Sequence, residues 1–141
     1  MLGAPHEYTI QILEHHLDTF GHVNNAVYLE LLEEARWDWI THGGYSLARV
    51  QETRKGPTIL ECTLRFAREL RLREQIRIES WIESYERKIA LVTQVIKTPD
   101  GKLACEASFK VGLFDLSERR LIAPTAEWLA AFGLTPEMLS P

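Results

Sequence analysis

The sequence predicts an α+β domain on three observations: one strongly apolar helical pattern near the N-terminus, a succession of alternating strand patterns between Pro57 and Ile122, and a polar, turn-rich link ahead of the helix. The 141 residues suit one domain, and no repeat, low-complexity tract or linker divides them, so residues 1–141 are read as a single unit. A chain of this size can bury a core without disulfides or a structural metal.

The first element is a short strand, Glu7 to Leu13, in which Tyr8, Ile10 and Ile12 alternate with Thr9, Gln11 and Leu13. His15 to Gly21 is polar and turn-like. Val27, Tyr28, Leu31, Leu32, Ala35 and Trp39 then share one helical face, with Glu30, Glu33, Glu34 and Asp38 on the other side. Asn24 supplies the N-cap and Gly43-Gly44 the stop. Leu29 and Trp37 widen the apolar stripe, which predicts a helix covered on more than one side. Leu60, Cys62, Leu64 and Phe66 alternate with polar residues, as do Ile76, Ile78, Ser80 and Ile82, giving half-buried antiparallel strands. Ile89 to Lys97 and Leu103 to Phe114 flank Thr98-Pro99-Asp100-Gly101, a hairpin turn by its proline and glycine. A short piece, Leu121 to Ala123, leads to Thr125, the cap of a terminal helix Ala126 to Phe132 that stops at Gly133. A sheet following one apolar helix buries that helix by curling around it.

Sixteen Lys and Arg against twenty Asp and Glu give a net charge of -4, which argues against a nucleic-acid partner. No apolar run approaches the length of a membrane span, and the first residues lack the order of a signal peptide, so a cytoplasmic protein is expected. Cys62 and Cys105 fall in strand patterns and are read as reduced, buried thiols without a catalytic role.

Chemistry concentrates in His15 to Asn25. Asp18 precedes the cap Asn24, and the first N–H groups of the helix lack intrahelical partners at the positive end of its dipole. Such an end can hold a carbonyl oxygen that becomes an oxyanion, while a nearby carboxylate supplies a base or a nucleophile. The same residues also suit a plain turn cap and a helix cap. His15, His16 and His22 with Asp18 do not have the spacing of a metal site, and His6 and His42 stand alone in sequence, so no metal is expected. Arg65, Arg68, Arg71 and Arg73 interleave with Glu61, Glu69 and Glu74 as a solvated face. Arg87-Lys88, at a turn beside Tyr85, can meet a phosphorylated ligand.

The segment Asp18-Thr-Phe-Gly-His-Val-Asn-Asn-Ala-Val-Tyr-Leu-Glu-Leu-Leu-Glu-Glu-Ala-Arg36 resembles the signature of the hotdog-fold thioesterases, in particular the 4-hydroxybenzoyl-CoA thioesterase-like and YbgC-like acyl-CoA thioesterases. Its His-Val-Asn-Asn-x-x-Tyr stretch is also similar to plant acyl-carrier-protein thioesterases. The resemblance implies a curled antiparallel sheet around one long helix, assembled as a homodimer or homotetramer with sites at the subunit interface. It implies that Asp18 is the catalytic carboxylate, that the Asn25 N–H polarises the thioester carbonyl, and that His22 orients Asp18 or ties the loop. Tyr28, Arg87 and Lys88 become the expected substrate contacts, the cations meeting CoA phosphates. CoA enters as part of the substrate, and no separate cofactor is implied. Thr19-Phe20 replaces the Pro-Ala of the hydroxybenzoyl type, so a hydroxybenzoyl preference does not carry over, and Phe20 stands where the plant type has an asparagine, so Asn-assisted catalysis is not carried over. The expected activity is hydrolysis of an acyl-CoA to a free acid and CoA. The alternatives are a carrier-protein thioesterase and a binding-only hotdog protein.

Overall fold

The computed structural model describes residues 1–139, in the order β1 (Leu2–Gln11), α1 (Asn25–His42), α2 (Leu47–Thr53), β2 (Lys55–Phe66), β3 (Gln75–Glu86), β4 (Ile89–Lys97), β5 (Leu103–Asp115), β6 (Arg120–Ile122) and α3 (Ala126–Ala130). Every pairing is antiparallel, in the order β1-β3-β4-β5-β2, with β6 added to β5. The expected α+β architecture is present: the sheet curls around α1. Tyr28, Leu31, Leu32, Ala35, Trp39 and Ile40 of the helix share one core with Ile76, Ile78 and Ile82 of β3, Val92 and Ile96 of β4, and Phe109 of β5.

A polar contact runs through this core. Gln94 of β4 is fully buried, donates to the Leu32 carbonyl at 3.1 Å and to Ser80 Oγ at 2.9 Å, and accepts from Arg36 Nη1 at 2.9 Å. Arg36 lies over the Phe109 ring, 4.3 Å from its centre, and burial lowers its guanidinium pKa to about 10.

Several elements differ from the sequence reading. β1 begins at Leu2 rather than Glu7; Pro5, which would break a central strand, is tolerated because β1 is an edge. The α2 helix was not expected; its seven residues are too few for a periodic signal, and only Ser46, whose hydroxyl accepts from Arg49 N–H, marks its start. α3 closes at Ala130, short of the expected Phe132. Of the two residues expected to widen the covered face of α1, Trp37 is half-buried and Leu29 is exposed. The β2 strand departs most. Ile59, Leu60 and Phe66 are 40%, 45% and 49% exposed, and Cys62 is exposed rather than buried, because β2 is the other edge of the sheet. Cys105, by contrast, is buried, and its thiol pKa is pushed up to about 11 by desolvation.

Gly43 ends α1 where the chain passes the α3 end. A Cβ there would sit 2.1 Å from the Ala131 carbonyl oxygen and 2.5 Å from its Cα, both backbone atoms that cannot swing aside. Gly43→Ala should therefore cost about 2 kcal/mol of stability, read as a lowered denaturant midpoint with an unchanged slope.

Candidate active site

Leu17 and Val23 pair as an isolated antiparallel bridge, which closes the loop that carries Asp18. The Asp18 N–H donates to the His22 carbonyl at 2.7 Å, and Gly21, at φ +80°, turns back to donate to the Asp18 carbonyl at 3.1 Å. The Asp18 carboxylate accepts through Oδ1 from Phe20 N–H at 2.9 Å and His22 N–H at 3.1 Å. Among the described residues Oδ2 has no protein donor, so one oxygen orients the group and the other is available for chemistry.

His16 sets the next step of the chain. Its Nδ1 accepts from Leu13 N–H at 2.9 Å, and its carbonyl accepts from Asn24 N–H at 3.4 Å. Asn24 then caps α1, its side-chain oxygen accepting from Ala26 N–H at 2.9 Å. The Asn25 N–H is left without a protein acceptor among the described residues, at the positive end of an 18-residue helix. It lies on an open cleft of about 300 Å³ lined by His22, Val23, Asn25, Tyr28, Phe66, Ala67, Arg68 and Glu69. Tyr28 is buried, with its ring edge-on to Phe66 at 4.9 Å, and desolvation raises its hydroxyl pKa.

The structure thus gathers Asn25, His22 and Tyr28 on one cleft and holds Asp18 in the adjoining loop, outside the cleft lining. His22 ties the loop through its backbone. Its ring faces Glu69, with Nε2 3.7 Å from a carboxylate oxygen, rather than Asp18. Arg87 and Lys88 are exposed at the β3–β4 turn, where Arg87 takes a left-handed conformation. That turn lies at the far end of β4, about 30 Å of strand from the Thr98 hairpin. One chain does not bring the basic pair to its own cleft.

Arg68, read in the sequence as part of a solvated face, is the member of that arginine group that reaches the cleft. It lines both the cleft and a neighbouring polar groove with Arg71, Thr98 and Lys102, and makes no ion pair among the described residues. Its one signal is its place just beyond β2, where its N–H donates to the Ala104 carbonyl. The other arginines behave as a solvated face: Arg65 meets Glu106 and Arg73 meets Glu14. His15 and His16 do not point apart as a continuing strand would require, because a 3₁₀ turn puts their rings 4.1 Å from each other. His6 and His42 are not isolated either; both meet Asp38.

A long helix wrapped by a curled antiparallel sheet is the architecture of a hotdog domain. The family model described as the thioesterase-like superfamily matches residues 13–133, and the chain belongs to that superfamily. Among characterised relatives, the long-chain acyl-CoA thioesterase FadM of Escherichia coli (strain K12) is 29% identical over 119 residues, covering 84% of this chain and 89% of the relative. The solved structure of the probable thioesterase YbaW from Escherichia coli aligns at 27% identity and a TM-score of 0.75, covering 89% of this chain and 94% of that one. A Staphylococcus aureus protein solved in complex with CoA shares the fold at a TM-score of 0.86 and 17% identity, over 100% of this chain and 89% of its own.

His16 makes the entry to the site acid-sensitive. Desolvation first, and then the neighbouring His15, lower its pKa below the ordinary value, since the buried ring accepts a hydrogen bond when neutral. A histidine depressed on folding contributes stability that is complete above its unfolded value of about 6.5 and lost as pH falls through the lower folded value. Denaturant midpoints should therefore fall between pH 7 and pH 5, and His16→Gln should show less of that fall.

Proposed function

We propose that this chain hydrolyses acyl-CoA thioesters to a free acid and CoA, with the Asn25 N–H holding the carbonyl oxygen and Asp18 attacking the carbonyl carbon or activating the attacking water. The observation that carries this reading is the pairing of an unsatisfied helix-end amide with a carboxylate whose Oδ1 is fixed by two backbone donors and whose Oδ2 is unengaged. Charge develops on the carbonyl oxygen as the tetrahedral intermediate forms, and a preoriented N–H at a dipole end stabilises it more than it stabilises the ground state. The thiolate leaves readily. No strong general acid is needed. The named activity of the FadM relative supports the acyl-CoA substrate, and its long-chain preference is the acyl class we propose. With both cysteines free, we place the protein in the reducing cytoplasm.

The site is completed, in this proposal, by a second copy. β2 is a twelve-residue edge strand with apolar side chains exposed, and a two-fold pairing of β2 with its symmetry mate would cover them. The Phe66 end of β2 pairs beside Cys105, near the cleft, and the Lys55 end pairs with Asp115, near the Arg87-Lys88 turn; Gly112 packs close to the Lys88 carbonyl. Antiparallel pairing sets the Lys55 end of one copy against the Phe66 end of the other. The basic turn of each copy is then carried toward the opposite cleft, where it can meet CoA phosphates alongside Arg68. The same operation brings each cleft toward the apolar space between α1 and the sheet of the other copy, lined by Ile40, Ile59, Val92, Val111, Trp128 and Phe132, which suits an acyl chain.

The test is thiol release across acyl chains carried on CoA and on acyl carrier protein. Asp18→Asn, which keeps an oxygen for the two backbone donors, should lose about a thousandfold in kcat with the fold intact. Full activity in that variant would remove Asp18 from the mechanism, and turnover on carrier protein alone would replace CoA as the substrate. Bound acyl-CoA recovered intact from the wild type would make the protein a binder. The doubly substituted Arg87→Ala, Lys88→Ala chain should raise KM for CoA substrates about fivefold at unchanged kcat. Mixing it with the Asp18→Asn chain should restore a component of wild-type KM, because one site per mixed dimer then has both parts.

A further inference from the structure

The strand β1 and the helix α1 meet along a polar seam at the end of the molecule away from the cleft. His6 and Tyr8, two residues apart on one face of β1, meet Asp38 and Glu34, one turn apart on α1: Tyr8 donates to Glu34, and His6 Nε2 lies 2.7 Å from Asp38 Oδ2. Tyr8 and Glu34 satisfy each other as a pair. Asp38 does not stop at His6. Its second oxygen, Oδ1, lies 3.4 Å from Nδ1 of His42 in the last turn of α1, and the three ligand atoms all fall within 4.8 Å of one another.

We infer that His6, Asp38 and His42 form a binding site for a divalent transition cation of the zinc class. Two imidazoles and a carboxylate are the donor set that selects zinc and its neighbours over magnesium or calcium, which favour oxygen shells. Ligand atoms about 2.1 Å from a tetrahedral zinc are separated by about 3.4 Å, which the Asp38 to His42 spacing already matches. The closer His6 contact, at 2.7 Å, opens by about 0.7 Å when a metal replaces the shared proton. The His6 ring is stacked on Trp39, with centroids 6.3 Å apart and planes 11° from parallel, so its approach to Asp38 is fixed by packing. His42 is the adjustable ligand, its side chain 70% exposed. Without metal its Nδ1–H donates to the Asp38 carbonyl at 2.8 Å; ligation moves that proton to Nε2, which solvent can accommodate. A shallow recess formed by Ala4, Pro5, Gly43 and the Ala130 to Gly133 segment adjoins the two histidines, leaving room for water as a fourth ligand.

The site lies about 20 Å along α1 from Asn25, so its effect is on the seating of β1 against the helix rather than on the thioester. The test uses the full chain, stripped with a chelator and titrated calorimetrically with zinc chloride. One zinc per chain should bind. His42→Ala, a change at an exposed side chain, should weaken binding at least about tenfold, as should Asp38→Asn, whereas His22→Ala should leave it unchanged. Zinc should raise the melting temperature of the wild type and not of His42→Ala, and magnesium should raise neither. Absence of saturable uptake would overturn the site, as would wild-type affinity in His42→Ala, which would assign the zinc to the other surface histidines. An equal melting shift with magnesium would overturn the cation class. None of these readouts depends on hydrolysis.

Discussion

Gln94 sits in the middle of β4 with no access to water, where an unpaired amide would cost about 1–3 kcal/mol. Its partners come from the neighbouring strand, from the helix backbone at Leu32 and from the helix side chain of Arg36, so every hydrogen bond is met only when α1 has one rotation and one height against the sheet. Apolar packing alone tolerates small slides of a helix across a surface of Ile and Val. A buried amide does not. Because both ends of α1 carry polar groups, the same restraint that seats Leu32 fixes where the Asn25 N–H emerges and where Asp38 and His42 lie.

The site is organised from backbone outward. Asp18 owes its orientation to the amides of Phe20 and His22, the turn to the Leu17–Val23 bridge, and the helix start to Asn24 and the His16 carbonyl. Few side chains take part in holding the carboxylate. The side chains that could meet a substrate, among them Tyr28, Phe66 and Arg68, come from other elements and surround the amide instead. In the proposed dimer the division goes further, with the cations at residues 87 and 88 crossing from one copy to the other.

Much of this was legible in the sequence where local rules and burial agree. The Ile76, Ile78 and Ile82 alternation, the Thr98 to Gly101 hairpin and the Asn24 cap all appear as expected, since each is decided by period or turn chemistry within a few residues. The misreadings share one cause, which is that exposure depends on neighbours distant in sequence. The β2 pattern of Leu60, Cys62, Leu64 and Phe66 looks like a buried face, but on this edge strand only Leu64 of the four packs against the core. His6 and His42 stand 36 positions apart, and only the β1–α1 packing brings them to Asp38. His22 ties the loop, one of the roles expected of it, but through its backbone rather than its ring. The α2 helix was too short to announce itself.

The loop between Leu17 and Val23 separates what must stay constant from what can vary. Every contact that fixes Asp18 within it is made by main chain, while Thr19 and Phe20 point outward, Phe20 being 84% exposed. Replacement of these two residues leaves the amides where they are. The loop can therefore accept new side chains beside the Asp18 carboxylate without disturbing how it is held, and residues 19 and 20 are where this chain departs from the hydroxybenzoyl and plant patterns it otherwise resembles. Divergence of substrate preference along a lineage needs such a position, one that is adjacent to the carboxylate yet takes no part in holding it.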